Sequence, residues 1–154
     1  MLDLMDTYKT LKVGGEVLSL SKPIAMGILN ITPDSFFDGG KYDTIENALK
    51  QCSKMLKEGA KIIDIGANSS RPGSIPLEPD QEIKRILPVL DELFREFPKA
   101  IISVDTFRAQ TAQVCIEKGV QIINDISAGD DDPEMLNVVA GTGVSYIAMH
   151  KQGS

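Results

Sequence analysis

From Ile24 onward, short unbroken apolar runs alternate with longer stretches in which apolar residues return every three or four positions. A run with no polar alternation marks a strand buried on both faces, and the 3.6-residue period marks a helix with one inward face. The runs cover residues 24–29, 61–65, 100–104 and 144–148, with a further strand starting over 121–123. Between them, Ala48, Leu49, Cys52, Met55 and Leu56 give helical spacing over 45–58. Ile83, Ile86, Leu87, Leu90, Leu93 and Phe94 give it over 80–97, and shorter helices are predicted over 109–118 and 134–140. Gly59 and Gly119 stand where the first and third helices should stop, and Pro133 suits the first position of the last one. Pro88 falls inside the second helix, where its missing N–H predicts a kink or a break. Upstream, over residues 8–21, Leu11-Lys12-Val13 and Val17-Leu18-Ser19-Leu20 flank Gly14-Gly15, which signals a hairpin.

Strict β-α alternation builds a parallel sheet covered by helices, either a barrel or a doubly wound sheet. Glu58-Gly59-Ala60-Lys61-Ile62-Ile63 returns as Lys118-Gly119-Val120-Gln121-Ile122-Ile123, a quasi-repeat that favours the barrel. A closed eightfold barrel uses about 250 residues. With 154 residues and about five strands, the chain reads as an incomplete barrel: one domain over 1–154, with a hairpin at about 8–21 and barrel units at about 24–154. On length alone, a compact five-stranded doubly wound domain stands level with it.

The strand ends separate the two. Each strand runs into a polar exit: Asn30-Ile31-Thr32-Pro33-Asp34-Ser35, Asp64-Ile65-Gly66-Ala67-Asn68-Ser69-Ser70-Arg71-Pro72-Gly73, Asp105-Thr106, Asn124-Asp125 and Met149-His150. Polar groups at the same end of successive strands ring one mouth, where parallel barrels gather their chemistry. Asp105, at the edge of an apolar run, suits a bidentate contact with a guanidine-like heterocycle edge, although it could also cap the following helix. Asn124 can donate and accept, towards a heterocycle or as a tie between loops. Asp64 is at least as well suited to bonding a neighbouring strand end as to a ligand. Asn30 is neutral and makes a Mg2+ contact only beside substrate phosphates. Arg71 among Ser69 and Ser70 suits an anion clamp, and Gly39-Gly40 and Gly73 permit loop closure. Asp130-Asp131-Asp132 reads as a solvated loop leading into a helix, and the single histidine, His150, carries no role that its position alone reveals.

Composition narrows the classes. A net charge of -6 with no basic cluster argues against nucleic acid and against a membrane surface. Two cysteines, Cys52 and Cys115, each sit among apolar neighbours, which suits buried thiols in a reducing compartment. The acidic N-terminus lacks the layout of a signal peptide, so a cytoplasmic location is expected.

The ordered set Gly27-Ile28-Leu29-Asn30-Ile31-Thr32-Pro33-Asp34-Ser35-Phe36 with Asp38-Gly39-Gly40, Asp64-Ile65-Gly66 with Ser70-Arg71-Pro72-Gly73, Ser103-Val104-Asp105-Thr106, Ile123-Asn124-Asp125-Ile126 and Met149-His150 resembles dihydropteroate synthase, of the pterin-binding barrel family. The resemblance implies an α/β fold, a parallel (β/α)8 TIM barrel of which about the first five units are present. It implies the joining of 6-hydroxymethyl-7,8-dihydropterin diphosphate to p-aminobenzoate, giving dihydropteroate and pyrophosphate. It further implies Mg2+ at Asn30, a pterin ring held by Asp105 and Asn124 beside Met149, and a p-aminobenzoate pocket built with Ser70 and Arg71. Asp38 would lie on the first mobile loop, and Asp105, Arg71 and Asp38 would serve the reaction. Small molecules are the implied partners, with a homodimer at full length and sulfonamides as inhibitors. In the family the second loop commonly reads Gly-Glu-Ser-Thr-Arg, whereas Ala67-Asn68-Ser69-Ser70-Arg71 stands here, which leaves the loop's stabilising contacts open. The remaining barrel units would supply a further pterin-binding aspartate, a lysine and an arginine-histidine pair. The chain alone is therefore expected to be inactive. Two other readings are a non-catalytic pterin-binding module or assembly partner, and a pterin-dependent methyltransferase of the same superfamily. The loops containing Thr32-Pro33-Asp34-Ser35-Phe36 and Ser70-Arg71-Pro72-Gly73 argue against the methyltransferase.

Overall fold

A computed structural model describes residues 10–32, 41–68 and 77–150. Gly14 and Gly15 adopt φ of +55° and +88°, the left-handed pair that lets a two-residue turn match the twist of its strands. They join β1 (Thr10–Val13) and β2 (Glu16–Ser19) into the expected antiparallel hairpin, with Thr10 opposite Ser19. The alternation then runs β3 (Ala25–Asn30), α1 (Lys41–Lys57), β4 (Ala60–Gly66), α2 (Pro79–Glu96), β5 (Ile101–Asp105), α3 (Ala109–Glu117), β6 (Ile122–Asp125), α4 (Glu134–Thr142) and β7 (Ser145–Ala148).

The five strands β3 to β7 are parallel and lie side by side in chain order. A doubly wound sheet reverses its strand order part-way, so that helices cover both faces. No reversal occurs here, and right-handed crossovers then place every helix on one face. Side-chain packing agrees. Leu29, Ile63, Ile65, Ile102, Val104 and Ile123 share a core with Ala48 and Cys52 of α1, Ile86, Leu90 and Leu93 of α2, Ala112 and Cys115 of α3 and Met135 of α4. On the opposite face the hairpin takes the place of helices. Val13, Leu11 and Leu18 pack against Ile62, Ile101, Ile122 and Met26. The Ser145 hydroxyl donates to the Lys12 carbonyl, tying β7 to the hairpin. The molecule is thus part of a barrel wall, helices outside, with an apolar plug at the N-terminal ends of its strands.

Three local expectations change: the chain does not break its helix at Pro88, Pro133 shifts by one position, and α1 starts earlier than predicted. Helix α2 is unbroken from Pro79 to Glu96 although Pro88 lies within it. Ile86, Val89, Leu90 and Leu93 are buried around that point, and this packing outweighs one missing hydrogen bond. Pro133 is the N-cap of α4 rather than its first residue. Helix α1 also begins earlier than its aliphatic stripe, because the first turn, Lys41 to Thr44, carries none of the spacing on which the prediction rests. Among the described residues, no helix is long and apolar enough to cross a membrane.

Candidate functional site

Successive residues of a strand point to opposite faces. Since Leu29, Ile65, Val104 and Ile123 face the helices, Asn30, Asp64, Gly66, Ser103, Asp105 and Asn124 face the barrel interior. The parallel register sorts them into tiers. Asn30, Gly66, Asp105, Asn124 and Ile147 pair across the mouth, and Ile28, Asp64, Ser103, Ile122 and Ser145 form the tier beneath. Below these tiers lies the apolar floor of Met26, Ile62 and Ile101.

Asp105 is part-buried, and its carboxyl makes no hydrogen bond among the described residues. It does not cap α3. The Ala109 N–H donates to Asp132 Oδ2 at 2.8 Å, and the Arg108 N–H to Thr106 Oγ1 at 3.2 Å. Asp132 also accepts from the Glu134 N–H at 3.1 Å, so one side chain of the acidic run serves the starts of both α3 and α4. Asp105 is thereby left for another partner. Burial, reinforced by the charges of Asp64, Glu82 and Asp125, pushes its pKa up to about 6.

Asn124 and Asp64 meet across the interior, with Asn124 Nδ2 donating to Asp64 Oδ2 at 3.0 Å. The other oxygen of each, Asn124 Oδ1 and Asp64 Oδ1, is buried without a hydrogen-bond partner, as is Ser103 Oγ. Burial raises the pKa of Asp64, while the nearby Ser103 hydroxyl and the Asn124 amide favour its charged form. Ser103 exerts that influence without completing an aligned hydrogen bond. Asn30 is exposed at the end of β3. A Cβ on Gly66 would stand 3.2 Å from Asn30 Oδ1 and 3.5 Å from Asp105 Oδ2, so the glycine keeps the gap between them clear.

Beside this mouth, Asp125 organises the exit of β6. Its carboxylate accepts from the Ser127 N–H and hydroxyl, the Gly129 N–H and the Tyr146 hydroxyl at 2.7 to 2.8 Å. Its carbonyl accepts from the Met149 N–H at 3.0 Å, fixing the backbone where Met149, 42% exposed, follows β7. His150 is exposed at the same end.

Sequence reasoning missed Glu82. It is fully buried in the first turn of α2, accepting from Asn68 Nδ2 at 2.6 Å, Thr111 Oγ1 at 2.7 Å and Arg108 Nη1 at 3.2 Å. The signal was present, for Glu82 lies four residues before Ile86 on the buried stripe of the helix. Asn68, which stands where the family loop commonly has glutamate, ties Leu77 back to the end of β4: its Oδ1 accepts from the Leu77 N–H at 2.9 Å. Asp38, Ser70 and Arg71 lie outside the described residues.

A model of the family described as pterin binding enzyme matches residues 26–154. The chain belongs to the pterin-binding enzyme family. Among curated members it is 46% identical over 148 residues to the mitochondrial folate synthesis bifunctional protein of Arabidopsis thaliana, covering 94% of this chain and 27% of that one. It is 44% identical over 131 residues to the dihydropteroate synthase of Bacillus subtilis, covering 85% of this chain and 46% of that one. Among solved pterin-binding structures, the Xanthomonas albilineans dihydropteroate synthase with 4-aminobenzoic acid superposes with a TM-score of 0.86 at 36% identity, over 94% of this chain and 52% of that one. The same enzyme in complex with 7,8-dihydropteroate gives a TM-score of 0.80 at 34% identity, over 93% and 51%. The chain thus spans about half the length of these solved pterin-binding enzymes.

Among the described residues no three His, Cys, Asp or Glu side chains gather as a metal cage. Beside the gap above Gly66 stand two oxygens, the neutral amide oxygen Asn30 Oδ1 and the carboxylate oxygen Asp105 Oδ2. That fits Mg2+, which keeps its waters and takes one or two protein oxygens beside substrate phosphates, and does not fit a wholly protein-bound ion.

Proposed function

We propose that this chain supplies the pterin-binding wall of a dihydropteroate synthase, joining 6-hydroxymethyl-7,8-dihydropterin diphosphate to p-aminobenzoate. One observation carries the reading: among the described residues the interior strand ends present buried hydrogen-bond acceptors without partners, Asn124 Oδ1 and Asp64 Oδ1, beside the part-buried carboxyl of Asp105. Such a wall calls for a ligand rich in N–H donors, as the edge of an aminopyrimidinone ring is. The solved relatives that hold 4-aminobenzoic acid and 7,8-dihydropteroate support it.

In the reaction, the bond between the pterin methylene carbon and the diphosphate oxygen breaks, and its electron pair leaves with pyrophosphate. The amine nitrogen of p-aminobenzoate then bonds to that carbon and loses a proton. Asp105, with a pKa near 6, is mainly ionised at neutral pH, and its partly desolvated charge stabilises the cationic pterin formed between the two steps. Asn124 orients the ring, and Met149 packs beside it. Asn30 would hold Mg2+, whose positive charge would offset the negative charge of the departing pyrophosphate. Ser70, Arg71 and Asp38 are assigned to the p-aminobenzoate side and to the reaction by the family resemblance alone.

Among the described residues, strands β3 and β7 each pair on one side only, and we expect turnover to need the rest of the barrel. The test is product formation from pterin diphosphate, Mg2+ and p-aminobenzoate, with and without a polypeptide carrying the remaining units. Turnover is expected only with both present. Product from the 154-residue chain alone, or pterin binding without turnover in either case, overturns the reading, the latter in favour of a binding module.

A further inference from the structure

Burying a polar atom without a partner is costly, and among the described residues the barrel interior holds three such atoms, Asp64 Oδ1, Ser103 Oγ and Asn124 Oδ1. Asp64 is 1% exposed, Ser103 0% and Asn124 6%, so water does not reach them freely. The carboxamide of Asn124 has two possible orientations, differing by exchange of Oδ1 and Nδ2. Turned one way it offers the ligand an acceptor, and turned the other way two donors. Nothing on its own strand decides between them. The choice is made sixty residues away, on β4, where Asp64 Oδ2 takes the Nδ2–H at 3.0 Å. With the amide reversed, the Asn124 oxygen would face the carboxylate oxygen, a repulsive contact in a site with little solvent to screen it.

We propose that Asp64 is a positioning residue that sets ligand specificity: by holding Nδ2 of Asn124 it fixes Oδ1 towards the ring, making this part of the wall acceptor-only. The proposal rests on the pterin reading above and adds to it the residue that chooses the hydrogen-bonding pattern. A ring bearing an amino group at position 2 is then preferred over one bearing an oxo group there, because the second sets acceptor against acceptor.

The test compares Asp64→Leu, which removes the hold, with Asp64→Asn, whose side-chain oxygen can still accept from Asn124. Two measurements are made on each and on the parent chain. Hydrogen exchange of the Asn124 side-chain amide, followed by NMR, reads the hold directly without ligand. Titration with 6-carboxypterin and with 6-carboxylumazine, its 2,4-dioxo counterpart, reads the preference. The parent is expected to protect the amide and to prefer the pterin. Asp64→Leu should lose the protection and lower the preference about tenfold, as when a matched hydrogen bond is exchanged for a mismatch. Asp64→Asn should keep the amide protection within about twofold of the parent and lose less of the preference than Asp64→Leu, since its amino group replaces only the second acceptor oxygen. A purely structural role would weaken both ligands alike and leave their ratio unchanged, which would overturn the proposal. So would an equal loss of preference in Asp64→Asn, or an unprotected Asn124 amide in the parent. If neither ring binds the parent, the pterin reading falls and the specificity with it. That outcome is told apart because the amide protection still responds to Asp64→Leu.

Discussion

Replacing Asp105 with asparagine tests whether the mouth is held under electrostatic tension in the absence of ligand. In the folded chain the carboxyl titrates at about 6, raised first by burial and then by the charges of Asp64, Glu82 and Asp125. In an unfolded chain an aspartate titrates near 3.9. A carboxyl with a raised pKa binds its proton more tightly in the folded state, so its contribution to stability is fully present below about pH 4. That contribution is lost as the pH rises from about 4 through about 6. A shift of about two units corresponds to nearly 3 kcal/mol, and partial exposure of the group trims this to ~1–3 kcal/mol. Asparagine has nearly the same shape and no charge to desolvate. Asp105→Asn should therefore stabilise the chain by ~1–3 kcal/mol at pH 7.5 while abolishing pterin binding, and the gain should vanish at pH 4. Urea unfolding followed by circular dichroism at the two pH values measures the difference. A typical urea dependence of about 1–3 kcal/mol per molar turns it into a rise in midpoint of about 1 M at pH 7.5. The reasoning is refuted if the variant is no more stable than the parent at pH 7.5, or if the difference between them is the same at both pH values.

Three further outcomes follow from the same geometry. Glu82→Ala leaves Arg108, Thr111 and Asn68 without their shared partner, and thermal or urea unfolding should show a loss of ~3–5 kcal/mol. Glu82→Gln, which keeps one acceptor, should lose clearly less. Asn68→Ala unties the bond to the Leu77 N–H; a cost of ~1–2 kcal/mol is expected, with faster hydrogen exchange at the Leu77 amide. Gly66→Ala places a methyl 3.2 Å from Asn30 Oδ1. Stability should change by less than ~1 kcal/mol, while titration with a pterin should show affinity reduced by about tenfold or more.

Much of the fold was legible because its signals are local. The apolar runs at residues 61–65 and 100–104 marked β4 and β5 to within a residue or two, and the stripe from Ile83 to Phe94 marked α2. Gly14-Gly15 marked a turn that only residues free to take positive φ can make. Pro88 does not break its helix, for the converse reason. Its local cost is real, but the burial of Ile86, Val89, Leu90 and Leu93 around it is a tertiary gain that no window of sequence contains. The site divides the same way. Asp105 and Asn124 were recognisable as polar residues closing apolar strands. The buried place of Glu82 was written in its helical spacing, but a carboxylate at the start of a helix reads equally well as a solvated one.

By itself, then, the sequence determined which segments are strands and helices and which polar residues close the strands, because backbone geometry repeats over two to four residues. It also carried the family likeness in its ordered strand-end motifs. The order of strands in the sheet, and with it the choice of a barrel wall over a doubly wound sheet, was decided by pairing between segments tens of residues apart. The same is true of the atoms that matter at the mouth. Whether Asp105 caps a helix or stays free depended on Asp132 reaching the Ala109 N–H from another loop. Which partner takes the Asn124 amide N–H depended on Asp64, two strands away in the sheet. Hydrogen-bond partners are assigned by distance in space, and only the packed tertiary structure fixes those distances.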